Sequence, residues 1–466
     1  MLEESLTGWD GTKKRAREVI DGLWVLLKKR GADGSVDRYK ARCVANDTKQ
    51  RREMRVPGLA TFCLSVRHSS FKAQIASACV KEYKAGKRRR FFGCDITQAY
   101  LKGECTEQEQ TYLRPPPHFR TFDARQRPLV WRLRTPLYGQ GDAGRIWYRT
   151  LHAQLVRQGF ARSQHDPCLY IKGYSNGTTI DIALYVDDMF ITTDAGALAN
   201  KELSILNEKF MMTCKENPVY FLGMNIEYVR LGVIRLTCAT YTKTLAANYP
   251  NVVGKSSLPS DASLTKAYEA SLDKKSPPTE VLLKAYGSKV GALIYMVPCA
   301  RPDMAAAVGY LARALTFPTK EMDAEVDRCL RYAIGTPDVG ITFDGARGGT
   351  LVAYSDSDWS VVHSTSGYCI MLAGAPISYT SKRQQCIALS STEAEIMAAS
   401  LAATEIAYLR EIFRDLLGLY HEYRLAHEAQ LTALCQQRAG KFLPVSAAEP
   451  IEQIVFGTMR RKGWVV

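Results

Sequence analysis

The sequence predicts an α+β protein built from several domains, and three observations lead to this class. The chain has 466 residues, which is enough for two to four domains. Hydrophobic residues make up 46% of it and charged residues 23%, as in ordinary globular proteins. Segments with the period-2 pattern of strands are interspersed with segments at helical spacing.

The formal net charge is +15, which favours an anionic partner such as nucleic acid. One basic cluster is more often a solvated surface than a binding site. Four clusters within the first 90 residues favour a phosphate-facing surface. They are Lys13, Lys14, Arg15 and Arg17; Lys28, Lys29 and Arg30; Arg51 and Arg52; and Lys87, Arg88, Arg89 and Arg90.

The 13 cysteines are scattered and include no C-x-x-C pair. This usage predicts reduced thiols in an intracellular compartment and argues against zinc or a disulfide framework. The polar start of the chain does not look like a signal peptide. No apolar run reaches the ~18 residues that a membrane span needs, so no membrane partner is predicted.

In the first part of the chain, Trp24–Lys29 and Val36–Ala45 are predicted strands joined by a turn at 31–34, which makes a cationic hairpin. Phe71–Ala85 is a predicted helix. Phe91–Asp95 is a short strand that closes on an aspartate. An acidic residue at the end of a strand is a common place for chemistry, and the alternative is a helix N-cap.

The segment 180–193 predicts a hairpin with two adjacent carboxylates at its tip. Apolar residues alternate before Asp187 and Asp188, and a short apolar run follows them. Because aspartate is depleted in strands, the pair belongs at the turn. Two neighbouring carboxylates on a buried hairpin repel each other, and a divalent cation would relieve that repulsion. The alternative is a solvated Asp-Asp turn without chemistry.

The rest of the chain mixes both patterns. Before residue 350 the predicted elements are a helix containing Leu203, Leu206 and Phe210, a strand at 221–226, a linker at 255–280, and helices at Tyr286–Val297, Pro302–Thr316 and Lys320–Ile334. Near residue 350 a new unit begins. Its predicted elements are strands at Leu351–Ser355, Gly367–Leu372 and Pro376–Ser381, and a long helix at Thr392–Leu417.

Eleven separated segments together resemble one family. They are RYKARCVA (38–45), CDITQAYLKGE (94–104), LRPPPHF (113–119), WRLRTPLYGQ (131–140), DPCLYIK (166–172), LYVDDMFIT (184–192), YFLGMNIE (220–227), ARPDMAAAV (300–308), YSDSDW (354–359), STSGY (364–368) and ALSSTEAEIMAA (388–399). In this order they resemble the reverse transcriptase region of copia-type LTR retrotransposon polyproteins. The resemblance covers roughly residues 20–418, without the integrase and capsid regions of full polyproteins, as in a fragment or a decayed copy.

The resemblance implies an RNA-directed DNA polymerase that binds an RNA template, a DNA primer and deoxynucleoside triphosphates. Asp95 and Asp187 would ligate two Mg²⁺ ions, for which Mn²⁺ can substitute, and Asp188 would support the site. The alternative is a decayed fragment that binds nucleic acid without catalysis. The expected location is the cytoplasm, in a virus-like particle if the parent element is complete, or the nucleus. The sequence assigns no oligomeric state.

Four residues are expected near the nucleotide by the same resemblance. Lys40 and Arg42 would reach the triphosphate, or serve general phosphate attraction. Tyr100 would pack under the sugar, or be a core tyrosine. Gln140 belongs to the expected nucleotide-binding set. Two positions later Asp142 replaces the family's usual glutamine, and a carboxylate beside a triphosphate is unfavourable unless it is turned away or metal-bound.

The implied fold is a right-hand polymerase followed by a connection and an incomplete RNase H-like domain. The expected divisions are a polar basic leader at 1–21, fingers and palm at 22–230, thumb and linker at 231–280, a helical connection at 281–345, a truncated RNase H-like domain at 350–418, and an unassigned tail at 419–466.

In the RNase H-like domain, Asp356 and Glu395 would be the metal-binding carboxylates. The alternative for Glu395 is a capping box with Thr392 as N-cap, and Asp358 could be a surface residue. The next metal-binding aspartate of the family, in an Asp-Asn context, has no counterpart here, and Asp415 within the helix is a poor substitute. Weak or lost RNA cleavage is therefore predicted.

Overall fold

The structure is a computed structural model that describes residues 2–5, 19–30, 36–46, 63–109, 111–273, 277–360 and 363–417. Several predicted features lie outside these residues. They are the turn at 31–34, the basic residues at 13–17 and 51–52, and the tail at 419–466.

The described chain contains both helices and strands, with several strands following one another directly, as expected for an α+β protein. The strands are β1 (Leu2–Ser5), β2 (Val19–Arg30), β3 (Val36–Ala45), β4 (Arg90–Ile96), β5 (Thr111–Arg114), β6 (Leu129–Leu133), β7 (Ala161–Arg162), β8 (Leu169–Gly173), β9 (Thr179–Tyr185), β10 (Asp188–Thr193), β11 (Met212–Glu216), β12 (Tyr220–Phe221), β13 (Met224–Arg230), β14 (Val233–Thr237), β15 (Gly340–Asp344), β16 (Val352–Asp358), β17 (Thr365–Leu372) and β18 (Ala375–Arg383). The α-helices are α1 (His68–Ala85), α2 (Ala143–Arg157), α3 (Gly196–Phe210), α4 (Ala239–Asn248), α5 (Ala262–Leu272), α6 (Glu280–Ala300), α7 (Ala305–Arg313), α8 (Lys320–Gly335) and α9 (Ser391–Leu417).

The described strands form four sheets. The first has the order β1-β6-β5-β2-β3, and in it only β2 and β5 run parallel. The second is antiparallel with the order β11-β4-β10-β9-β8-β7. The third is β12-β13-β14-β15 and the fourth is β16-β17-β18.

The six-stranded sheet lies at the centre of the core, and its β9–β10 hairpin is buried on both faces. From Ile180 to Leu184 every residue of β9 is buried, rather than every second one as the alternation predicts. The ring of Phe190 in β10 meets Phe71 of α1 edge-on at 5.0 Å. Aliphatic and aromatic packing of this kind holds a hairpin rigidly, so that only its tip reaches solvent.

The basic cluster at 87–90 is only partly available to an external anion. Arg89 is buried, with Nη1 2.9 Å from Asp194 and Nη2 3.3 Å from Asp181. Arg90 donates to both carboxylate oxygens of Glu216 on β11. The phosphate-facing interpretation was therefore wrong for Arg89, because a buried guanidinium needs internal carboxylates.

Three other predicted segments differ from the structure. The expected linker at 255–280 contains α5, whose N-cap Asp261 accepts a hydrogen bond from the Ser263 N–H. The expected strand at 221–226 is broken at Leu222 and Gly223, which both have positive φ and form the turn between β12 and β13. The leader contains β1, which pairs with β6. Tertiary pairing overrides local composition at each of these places.

The C-terminal sheet and α9 pack directly against the rest of the molecule. Tyr408 of α9 lies 2.7 Å from the Ser70 hydroxyl of α1, and Lys81 donates to the Leu416 carbonyl at 2.6 Å. The buried Lys72 ammonium donates to the Pro298 carbonyl of α6 and to the Tyr379 hydroxyl of β18. One continuous apolar core therefore includes residues of α1, α6, β18 and α9.

Candidate active site

Strand register brings two of the predicted carboxylates face to face. Asp188, the first residue of β10, lies directly opposite Asp95 near the end of β4. Side chains directly opposite each other on antiparallel strands point to the same face and have Cβ atoms about 5 Å apart. The N-cap alternative for Asp95 does not apply, because the next helical turn begins only at Ala99.

Asp187 occupies the two-residue turn between β9 and β10, together with Val186. Val186 has a positive φ of 57°, which is uncommon for a β-branched residue. Its carbonyl accepts a hydrogen bond from the Trp147 indole at 2.7 Å, and the Asp187 carbonyl accepts one from the Ile96 N–H at 3.0 Å. The turn is therefore fixed from α2 on one side and from β4 on the other.

The carboxylates repel one another. Asp188 reaches solvent, but protein atoms around its carboxylate desolvate it in part; this, followed by the charges of Asp187 and Asp95, raises its pKa to about 6. Burial and the Asp95 charge also raise the pKa of Asp187, while the Arg42 cation acts in the opposite direction. The site thus has an excess of negative charge at the tip of a rigid hairpin.

Carboxylate oxygens are the ligands that Mg²⁺ prefers, and the repulsion among these side chains is what a divalent cation would relieve. The chemistry of the donor set therefore fits a metal ion. As they stand, no three or more His, Cys, Asp or Glu side chains in the described ranges are arranged to hold one. Asp95 and Asp188 are exposed and Asp187 is half-buried, so the predicted pair is less enclosed than expected.

Two of the residues expected at the nucleotide, Arg42 and Tyr100, interact electrostatically with Asp187. Arg42 is on β3, and its guanidinium lies 4.8 Å from the centre of the Tyr138 ring. Lys40 is two residues earlier, on the same face of the strand. Tyr100 is half-buried in the 3₁₀ turn Ala99–Lys102, with its ring 5.0 Å from that of Tyr138. Burial, and then the Cys63 thiol and the Asp187 charge, raise the pKa of Tyr100.

Gln140 does not face the cluster. It is buried, and its side-chain amide nitrogen donates to the Thr111 hydroxyl at 3.1 Å and to Asp142 at 2.9 Å. Its side-chain oxygen accepts the Leu137 N–H at 3.2 Å. These bonds hold the Gln140 amide inside the protein, and its contact with the nucleotide stays a prediction.

Asp142 is buried as well, and its carboxylate lies 3.7 Å from Arg145. Of the two outcomes expected for the Asp142 carboxylate, the structure shows the first: it is turned inward. An internal cation and an amide donor satisfy the charge that the sequence placed there.

The second predicted pair is brought together by a strand and a helix. Glu395 of α9 accepts the Ser357 N–H of β16 at 3.3 Å, which places it beside Asp356. Asp356 lies within β16 and not at its end. Asp358 accepts a hydrogen bond from the Tyr310 hydroxyl at 3.3 Å.

The capping box at the start of α9 lies two residues earlier than predicted. Ser390 accepts the Glu393 N–H at 3.2 Å, and Glu393 accepts the Leu389 N–H at 2.7 Å. Glu395 is thereby free of the capping role. Asp415 accepts a hydrogen bond from the Ser163 hydroxyl at 2.5 Å, so this carboxylate serves the packing of α9.

The structure also contains a disulfide, where the sequence predicts reduced thiols. Cys94 of β4 and Cys214 of β11 lie opposite each other on neighbouring strands and are bonded. The residues are 120 positions apart in sequence, so spacing gave no indication of the pair. Tyr138 and Trp147 were also missed as site residues, although Tyr138 lies in the quoted segment WRLRTPLYGQ.

Comparison with known proteins identifies a family and several relatives. The family described as "Reverse transcriptase (RNA-dependent DNA polymerase)" matches residues 11–254. The "Retrovirus-related Pol polyprotein from transposon RE2" of Arabidopsis thaliana is 33% identical over 407 residues, which is 85% of this chain and 26% of that protein. The corresponding polyprotein from transposon TNT 1-94 of Nicotiana tabacum is 31% identical over 86% of this chain and 29% of its own length.

A smaller relative, the "Putative transposon Ty5-1 protein YCL074W" of Saccharomyces cerevisiae, is 28% identical over 67% of this chain and 100% of its own length. The chain thus spans about a quarter of the two plant polyproteins. In the described part, no helix is both long and apolar enough to cross a bilayer. The resemblance to copia-type retrotransposon polyproteins is confirmed, and the chain belongs to the reverse transcriptase (RNA-dependent DNA polymerase) family.

Proposed function

We propose that this chain is an RNA-directed DNA polymerase of a copia-type retrotransposon, acting inside the cell on an RNA template, a DNA primer and deoxynucleoside triphosphates. The observation that carries the proposal is the strand register that sets Asp188 opposite Asp95, with Asp187 in the adjoining turn. The reaction joins the primer 3′-hydroxyl to the α-phosphate and releases pyrophosphate, so the protein supplies positioning and charge neutralisation.

Asp95 and Asp187 would hold two Mg²⁺ ions, with Asp188 supporting them. When bound, such ions stabilise the attacking and leaving oxygens of the displacement. The hydrogen bonds from Trp147 and Ile96 to the turn hold the Asp187 backbone in one place. Because the hairpin is buried on both sides, its carboxylates need little reorganisation on binding.

Arg42 and Lys40 would neutralise the triphosphate, and Tyr100 would pack under the sugar. In this assignment, residues 22–230 form the fingers and palm, 231–280 the thumb and linker, and 281–345 the connection to an RNase H-like unit at 350–418. The inward orientation of Asp142 supports catalysis, because Asp142 then adds no further carboxylate beside the triphosphate.

Primer extension on poly(rA)/oligo(dT) with Mg²⁺ tests the proposal. Wild type should extend, and Asp187→Asn should lose activity by ~100-fold or more, as expected when a metal-binding carboxylate is removed. Glu216→Gln, which removes an exposed carboxylate of the same sheet, is the matched control and should extend normally. Equal extension by Asp187→Asn would reveal a contaminant. Binding without extension would identify a decayed fragment that only holds nucleic acid.

The contact of Glu395 with β16 favours a second, RNase H-like site at Asp356 and Glu395. We propose that its RNA cleavage is weak or lost, since no third carboxylate of the expected kind occurs in the sequence. A manganese-dependent assay on a labelled RNA–DNA hybrid measures it. Cleavage abolished by Asp356→Asn would overturn this proposal.

A further inference from the structure

The Tyr138 ring contacts two residues that the proposed function assigns to different parts of one nucleotide. The Arg42 guanidinium lies 4.8 Å from the ring centre, and the Tyr100 ring lies 5.0 Å away at an interplanar angle of 46°. Tyr138 itself is half-buried. Cation–π and tilted aromatic contacts at these distances are both attractive.

The backbone on either side of Tyr138 is fixed against the end of β3. The Tyr138 carbonyl accepts the Ala45 N–H at 2.8 Å. Gly139 follows with φ +84°, and a Cβ there would lie 2.1 Å from the Ala45 carbonyl oxygen. Only glycine permits this close approach. Arg42 is three residues before Ala45, so the ring and the cation it contacts are held by one local connection.

The Asp187 carboxylate acts on both tyrosines. Burial raises the pKa of Tyr138, the Arg42 cation acts against this, and Asp187 and Asp95 add to it. Asp187 also raises the pKa of Tyr100. Gln140 is bonded inside the protein, so it cannot supply a surface at this place. The side of the site between Arg42 and Tyr100 is therefore formed by an aromatic ring.

We infer that Tyr138 is a positioning and specificity-determining residue for the incoming 2′-deoxynucleoside triphosphate. Its ring holds Arg42 toward the triphosphate through one contact and supports Tyr100 under the sugar through another. This inference rests on the proposed function, since it uses the roles assigned there to Arg42 and Tyr100. Tyr138 acts through these two residues, so it links phosphate binding to discrimination between deoxyribose and ribose.

Single-nucleotide incorporation of dTTP and UTP on an RNA template with a DNA primer tests the inference. Tyr138→Leu should raise the KM for dTTP by about tenfold and lower the preference for dTTP over UTP by about fivefold, as loss of both ring contacts implies. Tyr138→Phe keeps the ring and should match wild type in both quantities. Wild-type values for Tyr138→Leu would overturn the inference while leaving the polymerase function intact.

Two further variants distinguish a role of Tyr138 in nucleotide selection from a role in folding alone. In a Tyr100→Ala background, Tyr138→Leu should still raise the KM but no longer change the dTTP-to-UTP preference. Arg42→Gln removes the cation and leaves the ring in place, and it should raise the KM while leaving that preference unchanged. An unchanged KM for Arg42→Gln would contradict the inference even if Tyr138→Leu folds poorly. If the double variant folds, a further loss of preference in it would also contradict the inference.

Equilibrium binding of dTTP with Ca²⁺ to the complex with template and primer gives a readout that does not need turnover. If wild type binds dTTP without extending the primer, a roughly tenfold weaker binding by Tyr138→Leu supports the inference, and equal binding overturns it. If wild type binds no dTTP, the inference and the proposed function both fail.

Discussion

The two carboxylate sites of this molecule use the same side-chain chemistry on different supports. Asp95 lies on β4, which is paired with β11 on one side and β10 on the other, so cross-strand hydrogen bonds fix its backbone from both directions. Asp356 lies on β16, at the edge of a three-stranded sheet. Its partner Glu395 comes from a helix and reaches the strand through one hydrogen bond at 3.3 Å.

The difference shows how much of a site is decided by the elements that carry it. A pair held by register on neighbouring internal strands has its separation set by the sheet itself. A pair made by a strand and a helix depends on how the helix packs. Since catalysis by charged groups requires positions fixed in advance, the first support is better suited to it.

The largest expected effect separates the two sites by function. Asp95→Asn should reduce primer extension by ~100-fold or more, because a metal-binding carboxylate is lost. Asp356→Asn should leave extension within about twofold, because it lies in the other region. Initial rates at matched folded concentrations measure both. A comparable loss from Asp356→Asn would show that the two sites do not act separately.

A smaller effect tests the support of the first site and not its carboxylates. Trp147→Phe removes the indole hydrogen bond to the Val186 carbonyl, and a shifted Asp187 should slow extension by about tenfold. The control is Phe210→Leu, which removes the ring that packs on Trp147 at 5.2 Å but keeps the indole N–H. If both variants slow extension equally, core packing and not the turn is responsible.

The junction between the two regions should produce a pH-dependent stability. Burial lowers the pKa of Lys72 from 10.5 to about 7, while the unfolded chain keeps its proton to higher pH. The free energy of unfolding should therefore rise with pH above 7, by up to about 1 kcal/mol per pH unit. Lys72→Met should flatten this rise in urea unfolding between about pH 7 and pH 8.5.

The measurement is kept below pH 9, because burial raises the pKa of thiols such as Cys79. Above pH 9 these thiols would lower the free energy of unfolding as the pH rises. Lys84→Met removes an exposed lysine of the same helix and serves as the control. An unchanged slope for Lys72→Met would show that Lys72 is not the group responsible.

The smallest effect concerns repulsion within the first site. In EDTA, Asp188→Asn should raise the unfolding midpoint by about 1–2 °C, because one of three like charges is removed. Asp356→Asn should give no such gain. Thermal unfolding with and without Mg²⁺ measures both, and Mg²⁺ should stabilise wild type more than Asp188→Asn. A midpoint lowered by Asp188→Asn in EDTA would refute the repulsion.

Much of the fold could be predicted from local pattern. The cationic hairpin strand Val36–Ala45 has the predicted bounds, and α1 differs from its prediction by three residues at its start. The β9–β10 hairpin also forms where its apolar runs indicate. The helix α5 was missed, because a segment rich in Ser, Pro and Lys gave a stronger signal for a linker.

The candidate site also has a part that the sequence indicates and a part that it does not. Asp95, Asp187 and Asp188 were identified from the sequence, because a carboxylate next to an apolar strand is visible in it. The environments of Gln140 and Tyr138, which are two residues apart, could not be told from the sequence. They depend on the bonds of Gln140 to Thr111 and Asp142, and on the close approach of Gly139 to Ala45.

By itself, the sequence indicated the β2–β3 and β9–β10 hairpins, most of the helices and the three aspartates as candidates, because these signals depend on neighbours a few residues apart. Only the tertiary structure decided that Asp188 lies opposite Asp95, that Asp142 turns inward to Arg145 and that Tyr138 joins Arg42 to Tyr100. Strand register brings together residues that are distant in the chain. Burial favours only those arrangements in which each buried polar group has a hydrogen-bond partner.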